Sequence, residues 1–321
     1  MDLVFMNDQK EDIGVLKDYE LDLAYGSEEN NFACTVNINN HVCKEGYYLY
    51  FEDSEYGGVI DQINVNTKVD MLTYSGRTWH GILEGKILEP NIGDDYLVLS
   101  GDANVILGEL ITRMGLTNLF KVSQGLAGIT ISNYSMDRYI TGYAGMRKML
   151  RANGAKLCMA FKDGFVELSA LPIVNYAENE QFDTDQIDFT ITKKYVKLNH
   201  VICLGKGDLK ERKVLHLYAD QDGNVVRTPY YTGVLEMAET YDFPNAESEE
   251  ELIKGGTKRI EEAWDANKVE FVFDSNQESF DIGDIVGAKE LTTDISVSSD
   301  ITKKIVTISN SETKISYKIG E

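Results

Sequence analysis

Two carboxylates, Asp281 and Asp284, stand three residues apart in the segment FDIGDIVGAK (residues 280–289). Paired carboxylates can serve as a general acid and a general base, but that chemistry also needs a cleft and partner groups. The segment contains no histidine, and its turn-forming Asp281 and Gly283 precede an apolar run. Turn residues followed by apolar residues are typical of the start of a half-buried strand. We expect that structural role, with paired catalytic carboxylates as the alternative.

A zinc site is the second chemistry to consider, because Cys34, His41 and Cys43 lie close together in the sequence. A structural zinc ion needs four ligands, and no fourth ligand stands nearby. Cys34 also alternates with apolar Phe32 and Val36 along a predicted strand. The pattern favours packing of this cysteine in a core, and we expect no bound metal here.

A calcium loop is suggested by the acidic residues of DQDGN (residues 220–224). An EF-hand loop carries its glycine at position six and a glutamate at position twelve. Here the glycine is fourth, and Tyr231 occupies the twelfth position. A turn between two strands is the favoured interpretation.

Catalytic motifs are missing elsewhere. The sequence contains no GxSxG motif, no glycine-rich phosphate loop that ends in Lys-Ser or Lys-Thr, and no HExxH motif. His80, His200 and His216 fall within strand-like patterns, which favours structural roles. Among 53 acidic residues no pair stands out as a glycosidase pair. We therefore predict that the protein is not an enzyme and has no catalytic residues, no cofactor and no metal.

Length and charge limit the class of protein. A chain of 321 residues is expected to form two or three domains. The net charge of −22 argues against a grip on nucleic acid, although an acidic passage could let DNA slide through without adhering. The N-terminus lacks the features of a signal peptide, and no apolar stretch approaches the ~18 residues of a membrane span. We expect synthesis in the cytoplasm, no stable membrane insertion and four reduced cysteines.

Hydrophobic periodicity divides the chain into three parts. Alternating segments predict a first β-barrel over residues 1–95 and a second over 173–321, interrupted by a helix near 248–266. Residues 96–172 predict a small α+β module, with helices over 101–115 and 135–154 and a hairpin that turns at 162–164. The predicted fold class is therefore mainly β, with two tube-like antiparallel barrels that flank a helix-plus-hairpin insert.

The helix near 248–266 starts with a capping box formed by Ser248 and Glu251. Gly255 and Gly256 lie inside it, and two glycines weaken a helix by about 2 kcal/mol relative to alanines. We expect docking against the rest of the fold to hold this helix in place.

Several segments resemble, in the same order, a family of baseplate-hub or tail-associated structural proteins from phages and prophages of Gram-positive bacteria and from phage-tail-like bacteriocins. The resemblance spans about residues 45–321 and rests on SGRTWHGILEGKIL, RKMLRANGAKL, DGNVVRTPYYTG, ESEEELIKGGTKRIEE, FDIGDIVGAKE and ITKKIVTISNSETKISYKIGE. It implies two tube-like barrels around an α+β insert, assembled as a homotrimer at the end of the tail tube.

The resemblance also implies partners and a location. The partners would be tail tube or distal tail proteins, the tape-measure protein, and the tip, spike and other baseplate proteins. The protein would belong to the virion or the tail-like particle, and the tail could be contractile, long and flexible, or headless. Some relatives carry a wall-degrading domain after this core, and we expect none here because the sequence ends at Glu321.

Two other functions stay open at this point. A carbohydrate-binding module could use the aromatic residues of GYYLYFE or TPYYTG, and a peptidoglycan hydrolase could use carboxylates. For the hub, we expect that lysines of the last strands pair with carboxylates of a neighbouring subunit, as an alternative to shielding a strand edge of a monomer. These lysines are Lys303, Lys304, Lys314 and Lys318.

Overall fold

The structure is a computed structural model that describes residues 2–178, 181–183, 189–191, 196–246, 248–265, 269–271, 280–290, 295–309 and 312–320. Over these ranges the protein is mainly β, with a small helical insert, as the periodicity predicts. The first strands and helix are β1 (Leu3–Met6), β2 (Asp12–Leu16), β3 (Tyr19–Gly26), β4 (Asn31–Asn37), β5 (Tyr48–Tyr50), β6 (Gly57–Asn66), β7 (Met71–Thr78) and α1 (Trp79–Glu84). The middle elements are β8 (Ile87–Leu88), β9 (Leu97–Asp102), α2 (Ala103–Arg113), β10 (Phe120–Val122), β11 (Thr130–Met136), β12 (Ile140–Thr141), α3 (Gly142–Arg151), β13 (Ala155–Lys162) and β14 (Phe165–Pro172). The last elements are β15 (Gln181–Asp183), β16 (Phe189–Ile191), β17 (His200–Leu204), β18 (Val214–Ala219), β19 (Val225–Val226), β20 (Ala238–Asp242), α4 (Glu249–Asp265), β21 (Val269–Phe271), β22 (Ile285–Glu290), β23 (Ile295–Ser309) and β24 (Glu312–Ile319).

The chain folds into two compact units. The larger unit contains Met1–Phe189 and Glu270–Ile319, and the smaller contains Thr190–Val269 with Gly320–Glu321. We describe each unit by itself. The domain boundaries 1–95, 96–172 and 173–321 that the periodicity indicates remain a prediction.

The main sheet of the larger unit joins strands from both ends of the sequence. Its described path runs β24-β23-β3-β4-β7-β6-β5-β1-β2, and neighbouring strands are antiparallel. Strand β23 lies between β24 and β3, with Lys304 opposite Tyr25. The described strands form an open sheet. They do not form the closed barrels that we expected.

Strand β23 also belongs to a second group of strands. Its first residues, from Ile295 to Asp300, pair with β22, and those after Ile301 pair with β3 and β24. A register shift between Ile301 and Lys303 marks the change of partner. An extra residue of this kind bends a strand and increases its twist, which lets one strand serve two sheets.

The middle module packs two helices against the hairpin of β13 and β14. Asp102 caps α2 by accepting a hydrogen bond from the backbone N–H of Asn104, and Gly115 adopts a φ of +70° after the helix ends, as predicted. The hairpin turns at Asp163 and Gly164. The buried residues of α2 form a shared core with those of the hairpin. The helix contributes Ile106, Leu107, Leu110 and Ile111, and the hairpin contributes Met159, Phe161, Val166 and Leu168.

Two predicted elements differ from the structure. The helix expected over 135–154 starts only at Gly142, because Met136 ends a strand and Thr141 provides the N-cap. The segment TWHGILE, expected as part of a strand meander, forms α1, so His80 is helical. The hydroxyl oxygen of Thr78 accepts a hydrogen bond from the N–H of Gly81 and so caps this short helix.

The smaller unit is a four-stranded sheet covered by α4. The strand order is β19-β18-β17-β20, with β17 and β20 parallel and the other pairs antiparallel. Ser248 accepts a hydrogen bond from the N–H of Glu251 at the start of α4, as the capping box predicts. A β-carbon added at Gly256 would lie 2.4 Å from Cys203 Sγ, so the glycine lets helix and sheet approach closely. This close packing agrees with the expectation that docking holds the helix.

Candidate functional site

Asp281 and Asp284 meet a buried lysine from the middle hairpin. Lys156 Nζ lies 2.7 Å from Asp281 Oδ2 and 2.7 Å from Asp284 Oδ2. The side chains of Lys156 and Asp284 are 5% and 1% exposed, whereas that of Asp281 is 42% exposed. Although burial lowers it, the two carboxylates raise the pKa of Lys156 above its ordinary value. Lys156 is therefore a permanent cation that holds two acidic groups, and the three do not form an acid–base pair.

The backbone around Asp284 completes the same structural role. Its carboxylate accepts hydrogen bonds from the N–H groups of Val174 and Asp281, and its own N–H donates to the carbonyl oxygen of Asp281. Gly283 adopts a φ of +99° within this turn, a region that favours glycine. Strand β22 begins at Ile285, directly after the turn. The interpretation of Asp281 and Asp284 as the start of a strand is confirmed.

A second buried lysine, Lys304, also pairs with a carboxylate. Lys304 Nζ is 2.6 Å from Glu55 Oε1, and its side chain is 1% exposed. The ammonium group lies 5.5 Å from the ring centroid of Tyr56 and 5.6 Å from that of Tyr317, within the range of a cation–π contact. Burial lowers the pKa of Lys304, but the charge of Glu55 outweighs this and raises it above its ordinary value. Lys304 therefore carries its charge in the folded protein.

Three of the four lysines of the last strands pair with carboxylates of their own chain, and pairing across subunits stays a prediction. Lys303 is bound to Glu29 at 2.7 Å, Lys304 to Glu55, and Lys318 to Glu28 at 2.9 Å, all within one chain. Glu28 and Glu29 lie between β3 and β4, and Glu55 lies between β5 and β6. Lys314 is exposed and remains the candidate for contact with a neighbour.

His80 is a further buried titratable group of the larger unit. Its ring stacks on that of Tyr25 with a centroid distance of 4.3 Å and an interplanar angle of 3°. Its Nδ1 atom has no hydrogen-bond partner among the described residues. Burial, together with the charges of Arg147 and Lys304, lowers the pKa of His80 to about 3, so the ring is neutral near pH 7.

These groups surround a cleft in the larger unit that opens to solvent. It has a volume of about 280 Å³. Its wall combines carboxylates, aromatic rings and the thiol of Cys158. The lining residues are Asp53, Ser54, Glu55, Tyr56, His80, Tyr143, Leu157, Cys158, Met159, Asp281 and Ile282. Burial and the charge of Asp281 raise the pKa of Cys158 to about 12, so the thiol is not a nucleophile at neutral pH. We call this feature the acidic cleft.

The residues considered for zinc have other partners. His41 Nδ1 lies 3.0 Å from the hydroxyl of Tyr74, which also accepts a hydrogen bond from the N–H of Cys43. Burial raises the pKa of Cys34 and that of Cys43, the latter to about 12, which opposes the thiolate form that binds zinc. In the part of the chain that the structure describes, no three or more His, Cys, Asp and Glu side chains are placed to hold a metal ion.

The acidic turn DQDGN uses its carboxylate locally. Asp220 Oδ1 accepts hydrogen bonds from the N–H groups of Asp222 and Asn224, and Asp220 Oδ2 accepts one from the side-chain amide of Asn224. This is the hydrogen-bond pattern of an aspartate-initiated turn between β18 and β19. The interpretation as a turn is confirmed.

A histidine pair in the smaller unit was not expected from the sequence. His200 Nε2 lies 2.8 Å from His216 Nδ1, and His200 Nδ1 lies 2.6 Å from Glu236 Oε1. Strands β17 and β18 place Ile202 opposite His216, two residue pairs away from His200 and Tyr218, so the two histidines lie diagonally on the same face. Pairing of these strands in register brings the two histidines together, and their separation of sixteen residues in the sequence gives no sign of it.

The aromatic residues considered for carbohydrate binding are divided between core and surface. Tyr50 is buried and donates a hydrogen bond to Asp12, and Tyr48 packs near Trp79 with ring centroids 6.1 Å apart. In the smaller unit Tyr230 is exposed and Tyr231 is half-buried, with their rings edge to face.

No helix among the described residues is long and apolar enough to cross a membrane.

The amino-acid sequence matches no protein-family model and no curated protein. Three solved structures of tail proteins are similar over almost the whole of both chains. The 43 kDa tail protein of prophage MuSo2 from Shewanella oneidensis has a TM-score of 0.58 and 9% identity, and covers 99% of this chain and 98% of its own. The tail protein from Neisseria meningitidis MC58 has a TM-score of 0.54 and 11% identity, with 100% and 96% covered. Prophage tail protein gp18 from Listeria monocytogenes EGD-e has a TM-score of 0.51 and 11% identity, with 99% and 94% covered.

At these low identities the likeness concerns the fold. This chain shares its fold, over nearly the whole length, with these three tail proteins, two of which come from prophages, although few residues of the sequences agree.

Proposed function

We propose that this chain is a structural hub protein of a phage tail or of a phage-tail-like particle. The observation that carries the proposal is the similarity of fold to three tail proteins over nearly the whole of each chain. Similarity of this extent concerns the arrangement of all elements and not one common motif. The restriction to Gram-positive hosts that the sequence resemblance implies remains a prediction.

We also propose that the protein acts by assembly and not by catalysis. Support comes from the protonation states of the side chains that could have acted in catalysis. Lys156 is held as a cation by two carboxylates, and the Cys158 thiol stays protonated. Each of these states suits a structural contact better than proton transfer or nucleophilic attack.

A trimeric ring is the assembly that we propose. A tail tube with sixfold symmetry and a tip with threefold symmetry need an adaptor between them. Three copies of a chain with two strand-rich parts offer six similar surfaces to the tube and three to the tip. The proposed parts are residues 1–95 and 173–321, with 96–172 between them. The proposed partners are tail tube or distal tail proteins, the tape-measure protein and tip proteins, and the proposed location is the tail of the particle.

The negative charge of the chain suits a passage for other macromolecules. With a net charge of −22 per copy, a ring would repel DNA from its inner surface. Basic side chains on the inner surface would bind the phosphates and hold the DNA in place. An acidic surface avoids these contacts and lets the DNA pass.

Electron cryomicroscopy of the assembled particle tests this proposal. We expect three copies of the chain at the end of the tail tube, next to the tip. A particle that lacks this gene serves as the control and should lose density at that position. Six copies, one copy, or copies distributed along the tube would contradict the trimeric hub, and clearing of peptidoglycan by the purified chain would contradict the non-enzymatic role.

A further inference from the structure

The histidine pair of the smaller unit is oriented by a carboxylate. Glu236 Oε1 lies 2.6 Å from His200 Nδ1, and His216 Nδ1 lies 2.8 Å from His200 Nε2. Because a carboxylate accepts hydrogen bonds, Nδ1 of His200 carries a hydrogen, and in the neutral ring the lone pair is on Nε2. His216 Nδ1 then donates a hydrogen bond to that lone pair. Glu236 therefore determines which nitrogen of His200 can act as a ligand.

The two rings differ in their freedom to move. The His200 side chain is 9% exposed, and its ring stacks on that of Tyr218 with a centroid distance of 4.4 Å and an interplanar angle of 24°. His216 is exposed on the same face of the sheet. A ring at the surface can turn toward an incoming ion, so the pair combines one fixed ligand with one adjustable ligand.

The charges around the pair favour a cation. Among the described residues, no lysine or arginine forms an ion pair with Glu236, whose carboxylate lies against His200. The acidic residues of the neighbouring strand β20 are neutralised by arginines, Glu239 by Arg259 and Asp242 by Arg212. The negative charge of Glu236 thus remains available to stabilise a positive ion on the far side of the His200 ring.

The separation of the two nitrogens matches that of neighbouring ligands on one metal ion. With metal–nitrogen bonds of about 2.0 Å, two imidazoles at right angles are about 2.8 Å apart, and two in a tetrahedral site are about 3.3 Å apart. The observed separation is 2.8 Å. A hydrogen bond has this length too, so an ion can replace the shared hydrogen by rotation of the exposed ring, without separation of the strands. Ligands at right angles are typical of tetragonal Cu²⁺ and Ni²⁺ sites.

We propose that His200 Nε2 and His216 Nδ1 bind one divalent transition-metal ion, Cu²⁺ or Ni²⁺, and that Glu236 orients His200 for this role. The hydrogen of His216 moves from Nδ1 to Nε2, so the ring remains neutral and loses no proton. Two protein ligands are fewer than the four of a structural site, so water completes the coordination and the ion is exchangeable. We expected no metal from the sequence, in which the two histidines stand sixteen positions apart.

Binding of Cu²⁺ to the purified full chain, prepared without a histidine tag, tests the site. Excess Mg²⁺ prefers oxygen ligands and occupies surface carboxylates, which leaves Cu²⁺ to the imidazole nitrogens. Pulsed electron paramagnetic resonance counts the imidazoles on the ion, and we expect two at substoichiometric Cu²⁺. Isothermal titration calorimetry gives the affinity. Neither measurement needs a particle or another tail protein, so the result is independent of the proposed hub role.

Three variants assign the ligands. His216→Ala removes the exposed ligand, and Glu236→Gln keeps the shape of the side chain but removes its charge. His41→Ala is the matched control, because it removes an exposed histidine of the larger unit. We expect the affinity for Cu²⁺ to fall at least about tenfold in His216→Ala, about tenfold in Glu236→Gln, and not at all in His41→Ala. Far-UV circular dichroism verifies that each variant is folded.

Three outcomes would overturn the proposal. They are a single imidazole on Cu²⁺ in the unchanged protein, an unchanged affinity in His216→Ala, and a loss in His41→Ala as large as that in His216→Ala. Full affinity in Glu236→Gln would contradict the orienting role of the carboxylate.

Discussion

The buried lysines are the residues that most clearly connect distant parts of the larger unit. Lys156 comes from the middle hairpin and meets Asp281 and Asp284, more than a hundred residues later. Lys304 comes from β23 and meets Glu55, about 250 residues earlier. A buried ammonium group without a partner is costly, so each pair favours one arrangement of these segments over others.

The two carboxylates that hold Lys156 should differ in their contribution to stability. Asp284→Asn removes a charge that is almost fully buried, and we expect the free energy of unfolding to fall by about 3 kcal/mol. Asp281→Asn removes a charge that is 42% exposed, and we expect a loss of about 1 kcal/mol or less. Urea unfolding of both variants measures the difference. Equal losses would show that burial does not determine the strength of these contacts.

His80 should make the stability of the protein depend on pH. Because burial lowers its pKa in the folded state to about 3, His80 binds a proton more readily in the unfolded chain. The neutral ring therefore stabilises the fold fully above the unfolded pKa near 6.5, and this contribution is lost as the pH falls toward 3. Between pH 7 and pH 5 the loss from this residue should reach about 2 kcal/mol.

The variant His80→Phe keeps a ring in the stack and removes the titrating group. We expect its free energy of unfolding to fall less between pH 7 and pH 5 than that of the unchanged protein, by about 2 kcal/mol. Tyr25→Phe is the control, because it alters the same stack and removes no group that titrates in this range. If urea unfolding gives the same pH dependence for His80→Phe as for the control, the buried histidine is not the cause.

At the scale of the elements, two helices each contain a glycine, and the space around the two glycines differs. Gly256 is tightly packed, whereas Gly108 has room for a larger side chain. A β-carbon at Gly256 in α4 would lie 2.4 Å from Cys203 Sγ and 2.6 Å from Leu217 Cδ1. At Gly108 in α2 the nearest atom would be Val122 Cγ2, at 3.8 Å. Alanine is preferred over glycine within helices, so only the contacts with neighbouring strands can reverse that preference.

The substitution Gly256→Ala should therefore destabilise the smaller unit. Overpacking costs about 1–3 kcal/mol, and the helix preference for alanine offsets about 1 kcal/mol of this, so we expect a net loss of up to about 2 kcal/mol. Gly108→Ala is the matched control and should increase stability by up to about 1 kcal/mol. Thermal unfolding followed by circular dichroism measures both. A stabilising Gly256→Ala would mean that α4 is free to move away from the sheet.

For the whole molecule, the internal use of Lys303, Lys304 and Lys318 has an effect on assembly. These cations pair with carboxylates of their own chain and are not free to attract a second copy, whereas the net charge of −22 repels it. If the isolated chain forms the proposed trimer, we expect association to strengthen when sodium chloride is raised from about 0.05 M to 0.5 M, because salt screens that repulsion. Sedimentation equilibrium measures this. Weaker association at high salt would indicate that opposite charges hold the copies together.

The sequence predicted local features better than long-range ones. The cap of α2 by Asp102, the hairpin turn at Asp163 and the start of β22 after Asp284 depend on residues close in sequence, and all three were correct. Pairing of β23 with β3 joins residues about 280 positions apart, and alternation within each strand carries no information about that choice. For the same reason the acidic cleft could not be predicted, because it collects residues from five separate segments.

The position of β23 between β3 and β24 has a consequence for the time at which the fold is completed. During synthesis β3 leaves the ribosome among the first elements, while the strand that will cover one of its edges is still about 280 residues away. Contacts between segments this distant form late, and an open strand edge can meanwhile pair with another chain. The nascent N-terminal sheet is thus exposed to misassembly for most of translation, and a molecular chaperone that shields the free edge of β3 would act in this interval.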